Sequence, residues 1–149
     1  MASIPYTIRK LQTVLTGSYN ETLGSLETVE QAPVDQQVLD EKLLDAVTAT
    51  GASTDVNVLD KSRLTIVAYA SSVTTGGTLK IQGSPDGTNY ADLATFADGN
   101  TTGATSQDIT ADGTYVFTLP STLAIKYIRA NLSARTDGTY TVYLYGGAI

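Results

Sequence analysis

From about residue 54 onward the apolar positions alternate with polar ones in short runs, and turn residues separate the runs. Val56 and Val58, Leu79 and Ile81, and Val142 and Leu144 repeat with the period of two that belongs to half-buried strands. The pattern predicts strands over 54–59, 63–71, 78–82, 90–96, 107–110, 114–119, 125–133 and 139–145, with a Gly/Thr/Asn loop at 97–105. The segment 63–71 is apolar enough to be buried on both faces. Four Asp-Gly pairs punctuate the series, at Asp86-Gly87, Asp98-Gly99, Asp112-Gly113 and Asp137-Gly138. Glycine takes positive φ without a Cβ clash and aspartate bonds the neighbouring backbone, so each pair is expected to close a tight hairpin. The spacing points to an all-β protein, a β-sandwich or jelly-roll-like domain. Its expected core is Leu64, Ile66, Ala68, Leu79, Ile81, Leu93, Phe96, Val116, Ile125, Ile128, Leu132, Val142 and Leu144.

The first part of the chain reads differently. Residues 1–40 lack turn signals at hairpin spacing, and their apolar residues are too sparse for a core of their own. Ile4, Tyr6 and Ile8 alternate, which suits an extended segment laid against something else, and 17–24 reads as a polar loop. The chain therefore divides into an N-terminal arm, 1–40, and a β-sandwich domain, 41–149. Between them the stretch 33–47 fits two templates. Pro33 with Val34, Val38, Leu39, Leu43, Leu44 and Val47 matches an amphipathic helix, and alternation from Glu41 matches a strand. The expectation is extended chain from about Leu43, with a short helix before it.

Composition narrows the chemistry. The 149 residues include no His, no Cys and no Trp, so thiolate catalysis, disulfides and imidazole bases are all absent. Nine Lys plus Arg against fifteen Asp plus Glu give a net charge of −6, and no basic stripe is available to neutralise phosphates. Direct nucleic-acid binding is not expected. No apolar run has the length of a signal peptide or membrane span, so a soluble protein without membrane contact is expected. Charged residues make up 16%, against about 25% in an average domain, and twenty-four Thr take their place on the surface. Such a surface favours extended contact with other protein, because few charges must be desolvated.

Candidate chemistry is thin. The Asp-Gly pairs with Asp55, Asp92 and Asn100 offer oxygen ligands, but no loop has the alternating acidic spacing of a calcium site, and turn chemistry accounts for them. Asp40, Glu41 and Asp45 read as a solvated acidic face rather than a glycosidase pair. Gly76-Gly77 and Gly146-Gly147 lack the strand, helix and Lys-Ser/Thr context of a phosphate loop. Without His no motif supplies a base to the many hydroxyls, so neither catalytic residues, metal nor cofactor are expected. The sequons at Asn20, Asn100 and Asn131 arise readily in a Thr-rich chain. Nine Tyr against two Phe is the remaining bias. A tyrosine offers an apolar ring with a polar tip and is a common strand former, so the rings are expected to cap the sandwich edge and cover the core, with a binding platform of Tyr90, Tyr143 and Tyr145 as the alternative.

The string Gly83-Ser84-Pro85-Asp86-Gly87-Thr88-Asn89-Tyr90, then Lys126-Tyr127-Ile128-Arg129-Ala130 and the closing 139–146, resembles a small β-sandwich module recurrent in tailed-bacteriophage structural proteins. The stretch 48–56 is also similar to that module's first hairpin, so the resemblance covers about 43–146 and leaves the arm outside. It implies a virion component, made in the host cytoplasm and carried on the capsid surface as a decoration or cement protein. The major capsid protein and further copies of the chain, as a trimer, are the partners it implies. In that role Ile4, Tyr6, Ile8 and Leu11 of the arm would contact a neighbouring subunit. The alternatives are a neck, tail or baseplate component, and a receptor- or glycan-binding module exposed on the virion.

Overall fold

The computed structural model describes residues 38–120 and 124–148, all within the unit Gln37–Ile149. The arm residues Ile4, Tyr6, Ile8 and Leu11 lie outside the described residues. Eleven strands and no helix occur among those described. They are β1 (Leu39–Val47), β2 (Gly51–Ala52), β3 (Val56–Asn57), β4 (Lys61–Ser71), β5 (Gly77–Ser84), β6 (Ala91–Asp92), β7 (Phe96–Ala97), β8 (Gln107–Ile109), β9 (Gly113–Thr118), β10 (Tyr127–Arg135) and β11 (Thr139–Ala148). One sheet, sheet A, has the order β1-β11-β4-β9-β7. The other, sheet B, has the order β2-β10-β5-β6, with β3 also on β10 and β8 also on β5. Every pairing is antiparallel, and the two sheets enclose one core. This is a β-sandwich.

The core follows from alternation. On β4, Leu64, Ile66, Ala68 and Ala70 are buried, on β10 Ile128, Ala130 and Leu132, and on β11 Tyr140, Val142 and Leu144. Leu79 and Ile81 of β5 close it from sheet B. The last strand lies between β1 and β4, so the chain completes sheet A only when its C-terminal strand is inserted.

Several expectations are corrected. The run 63–71 is buried on one face only, since Tyr69 on the other is 44% exposed. In β9 the inward residue is Phe117, 3% exposed, whereas Val116 is 37% exposed, a slip of one residue that reverses the face. Leu93 and Ile125 pack against the core but are only partly buried, and Phe96 is half-buried. Strand β1 begins at Leu39, four residues before the expected Leu43, so the short helix does not occupy 39–42. Its register slips between Lys42 and Leu44 and again between Leu44 and Val47, and Ala46 has φ 49°. These bulges turn two consecutive residues, Leu43 and Leu44, into the core, which no strict alternation allows.

The Asp-Gly pairs also divide. Asp86-Gly87 closes the β5–β6 hairpin, and Asp98-Gly99 sits in a turn where Asn100 N–H donates to the Ala97 carbonyl at 2.9 Å. Asp112-Gly113 and Asp137-Gly138 instead connect β8 to β9 and β10 to β11, which belong to different sheets. They form arches over the end of the sandwich. A third arch, β4 to β5, joins them there.

Candidate functional site

Three groupings of polar and aromatic side chains stand out among the described residues. Two are internal fastenings, and the third is an open surface.

The first is the hairpin that carries the phage-like string. Ser84, fully buried, accepts the backbone N–H groups of Asp86 and Gly87 and donates to Asp86 Oδ1 at 2.8 Å. Asp86 in turn accepts the N–H groups of Thr88 and Asn89, both at 2.8 Å, and the Asn89 side-chain amide at 2.7 Å. These donors hold its carboxyl well below the ordinary carboxylate range. Tyr90 follows at the hairpin's end. Its hydroxyl donates to Asp55, and the Arg129 guanidinium lies 3.7 Å from the centre of its ring. The Asp55 bond, then burial, raise the phenol's pKa. Arg129 Nε also donates to Gln82 Oε1 at 2.9 Å, Gln82 donates to Asp92 at 2.7 Å, and Lys80 pairs with Asp92 at 2.7 Å. Asp92 is depressed chiefly by Lys80, then by Gln82. The string and the Lys-Tyr-Ile-Arg-Ala strand are thus bound to each other across sheet B. Tyr90 has one ring face covered and its hydroxyl engaged.

The second is the arch end. Asp137 accepts the N–H groups of Thr74, Thr75 and Gly76, with the shortest contacts at 2.8 Å, and Asp112 accepts that of Val73 at 2.6 Å. A run of successive backbone N–H groups is a natural anion cradle. Here the chain fills it with its own carboxylate. The Gly76 bond is the leading cause of the lowered Asp137 pKa. Tyr140, buried below, donates to the Asp137 carbonyl at 2.9 Å.

The third is the outward side of sheet A. Tyr143 and Tyr145, two apart on β11, present neighbouring rings with centroids 6.0 Å apart and planes 20° apart. Tyr69 of β4 meets Tyr143 edge-on, at 5.9 Å and 86°. Lys42, paired with Asp45 at 3.2 Å, holds its ammonium 5.6 Å from the Tyr143 ring. Tyr69, Tyr143 and Tyr145 with Asp40 and Thr141 line an open groove of about 440 Å³. Burial, followed by the Asp40 charge, raises the pKa of Tyr145. The structure therefore brings two of the three sequence-selected tyrosines together and leaves Tyr90 on the other sheet. Tyr69 and Asp40 carry no sequence signal for this site, because their nearness to β11 depends on non-local pairing (Thr141 with Tyr69, Asp40 with Tyr145). No group of three or more acidic side chains placed to hold a metal ion occurs among the described residues.

The fold defines an antiparallel β-sandwich with an aromatic outer face. No family model and no curated protein matches the chain. Among solved structures it is similar to the SPBc2 prophage-derived protein YomS, with a TM-score of 0.61 and 12% identity over 75% of this chain and 94% of that one. A Bacillus endospore appendage pilus protein superposes at 0.32, with 12% identity over 76% of this chain and 89% of that one. A chain of infectious bursal disease virus superposes at 0.25, with 13% identity over 76% of this chain and 28% of that one. The first likeness establishes a shared fold; the other two fall below that level.

Proposed function

We propose that this chain is a non-enzymatic structural component of a bacteriophage particle, a β-sandwich that decorates the capsid surface and strengthens contacts between its subunits. The observation that carries the reading is the distribution of the surface. In the phage-like hairpin and at the arch end, polar groups bond to one another, while the outward face of sheet A keeps aromatic and apolar side chains open to solvent, Tyr69 at 44% and Val116 at 37%. An open face of tyrosine, threonine and valine suits docking on another protein surface. The fold shared with a prophage-derived protein supports the same class.

In this reading the arm, through Ile4, Tyr6, Ile8 and Leu11, reaches the major capsid protein or a neighbouring copy within a trimer. Ordering about ten arm residues costs roughly 10–20 kcal/mol, so the arm needs many contacts, multiplied by the lattice. Deleting residues 1–15 is expected to abolish binding to undecorated capsids while the sandwich still melts cooperatively. Unchanged occupancy on the particles would reject the arm's role. Counting copies per virion by quantitative mass spectrometry separates this reading from a neck, tail or baseplate position. Hundreds of copies fit decoration, and a small ring-sized number fits the alternative.

A further inference from the structure

The groove on sheet A carries a more specific inference, one that does not depend on where in a particle the protein sits. Its lining is mixed: the rings of Tyr69, Tyr143 and Tyr145 form a corner, with two rings nearly parallel and the third almost perpendicular. Asp40 stands beside Tyr145 and Thr141 beside Tyr69 in the strand register. The Thr141 Oγ1 accepts the Ala46 N–H at 3.0 Å, and its own proton remains able to serve as a donor. A volume of about 440 Å³ lies within the range of small-ligand sites.

Each ligand class meets this lining differently. A purely apolar ligand would strand the Asp40 carboxylate and the phenol hydroxyls without partners. An anion would face Asp40 on a chain of net charge −6. A cation would compete with the Lys42 ammonium already set against Tyr143. A neutral sugar satisfies all of it, because one side of a pyranose is a sheet of C–H bonds and its rim is hydroxyl. We propose that this groove is a carbohydrate subsite for a neutral pyranose, whose C–H face stacks on the tyrosine rings while Asp40, Thr141 and the phenols bond its hydroxyls. Tyr145 keeps its proton through neutral pH and so can both donate and accept.

The full-length chain applied to an array of neutral bacterial surface oligosaccharides should give discrete signals. The strongest of them should titrate with a change in tyrosine fluorescence. Asp40→Asn, at an exposed edge-strand position, should weaken that binding at least about tenfold with an unchanged melting temperature. Tyr143→Ala with Tyr145→Ala should abolish it, whereas Tyr90→Ala should leave it intact. Because the tyrosine variants remove packing, ring-proton shifts on titrating the unmodified chain provide a second readout, and they should move for Tyr69, Tyr143 and Tyr145. An array without signals overturns the proposal. So does binding that survives the double substitution, or a concentration-dependent dimer that the double substitution dissolves in the absence of any sugar signal.

Discussion

Asp137 shows how much one side chain can organise. Its carboxylate takes three successive backbone N–H groups from the β4–β5 arch although it belongs to the β10–β11 arch. Asparagine at that position has one acceptor oxygen instead of two and no charge, so Asp137→Asn is expected to lower the melting temperature at pH 7. The loss should shrink as pH falls toward the point where the native carboxyl itself protonates. Gly76, on the other side of this contact, has φ 110°, and a Cβ there would stand 2.2 Å from the Ile109 carbonyl oxygen. Gly76→Ala should cost about 3 kcal/mol or more, measured by urea denaturation. At this scale the sequence is partly readable. Alternation selects Ile66, Leu79, Ile128 and Val142, all essentially buried, but it misses Ile109, which is just as buried. Ile109 sits in a three-residue strand too short to show a period, whereas Tyr140 falls in the alternation of Val142 and Leu144 and is buried with them, its hydroxyl taken up by the arch above.

Among the elements, strands are legible and their partners are not. The period of two marks which residues share a face and carries no record of which sheet a strand joins. The Asp-Gly pairs make the point, since the same dipeptide closes a hairpin after β5 and bridges the sheets after β8 and β10. The consequence is measurable. Gly99, with φ 81°, has nothing within 4 Å of where a Cβ would stand, so Gly99→Ala should cost only the left-handed strain, about 1–2 kcal/mol. At Gly138, with φ 91°, the added carbon would lie 2.6 Å from Val73 Cγ2 and 2.9 Å from the Tyr140 hydroxyl, so Gly138→Ala should cost about 2–5 kcal/mol. Thermal melts of the pair check the order, and equal losses would contradict it. The bulges of β1 leave no mark in the sequence either, because Leu43-Leu44 reads equally as helix or strand. They have a use: irregular backbone and the exposed Asp40, Lys42 and Asp45 make this edge strand a poor template for edge-to-edge pairing. The candidate groove is half legible for the same reason, with Tyr143 and Tyr145 two apart on one strand and Tyr69 and Asp40 supplied by its neighbours.

For the whole molecule, charge behaviour should be simple. There is no His, and the carboxyls of Asp86, Asp92 and Asp137 sit below their ordinary range. Below roughly pH 4 the unfolded chain, whose aspartates titrate near 3.9, binds protons that the folded one refuses, so this stability is complete above about pH 5 and lost on acidification. Tyr90, Tyr140 and Tyr145 are raised, so their contribution is complete below about pH 10 and is lost as the pH climbs past it. The expected profile is a plateau between about pH 5 and 9, checked by melting temperature across that range. A sloping profile near neutrality would contradict it. The turn at Asp98-Gly99 has a practical side as well. Exposed, and with open space beside its glycine, it gives a foreign peptide spliced between Gly99 and Asn100 an exit into solvent at the cost of the single Asn100–Ala97 backbone bond. The chain would then become a carrier, each folded copy presenting one epitope or affinity tag.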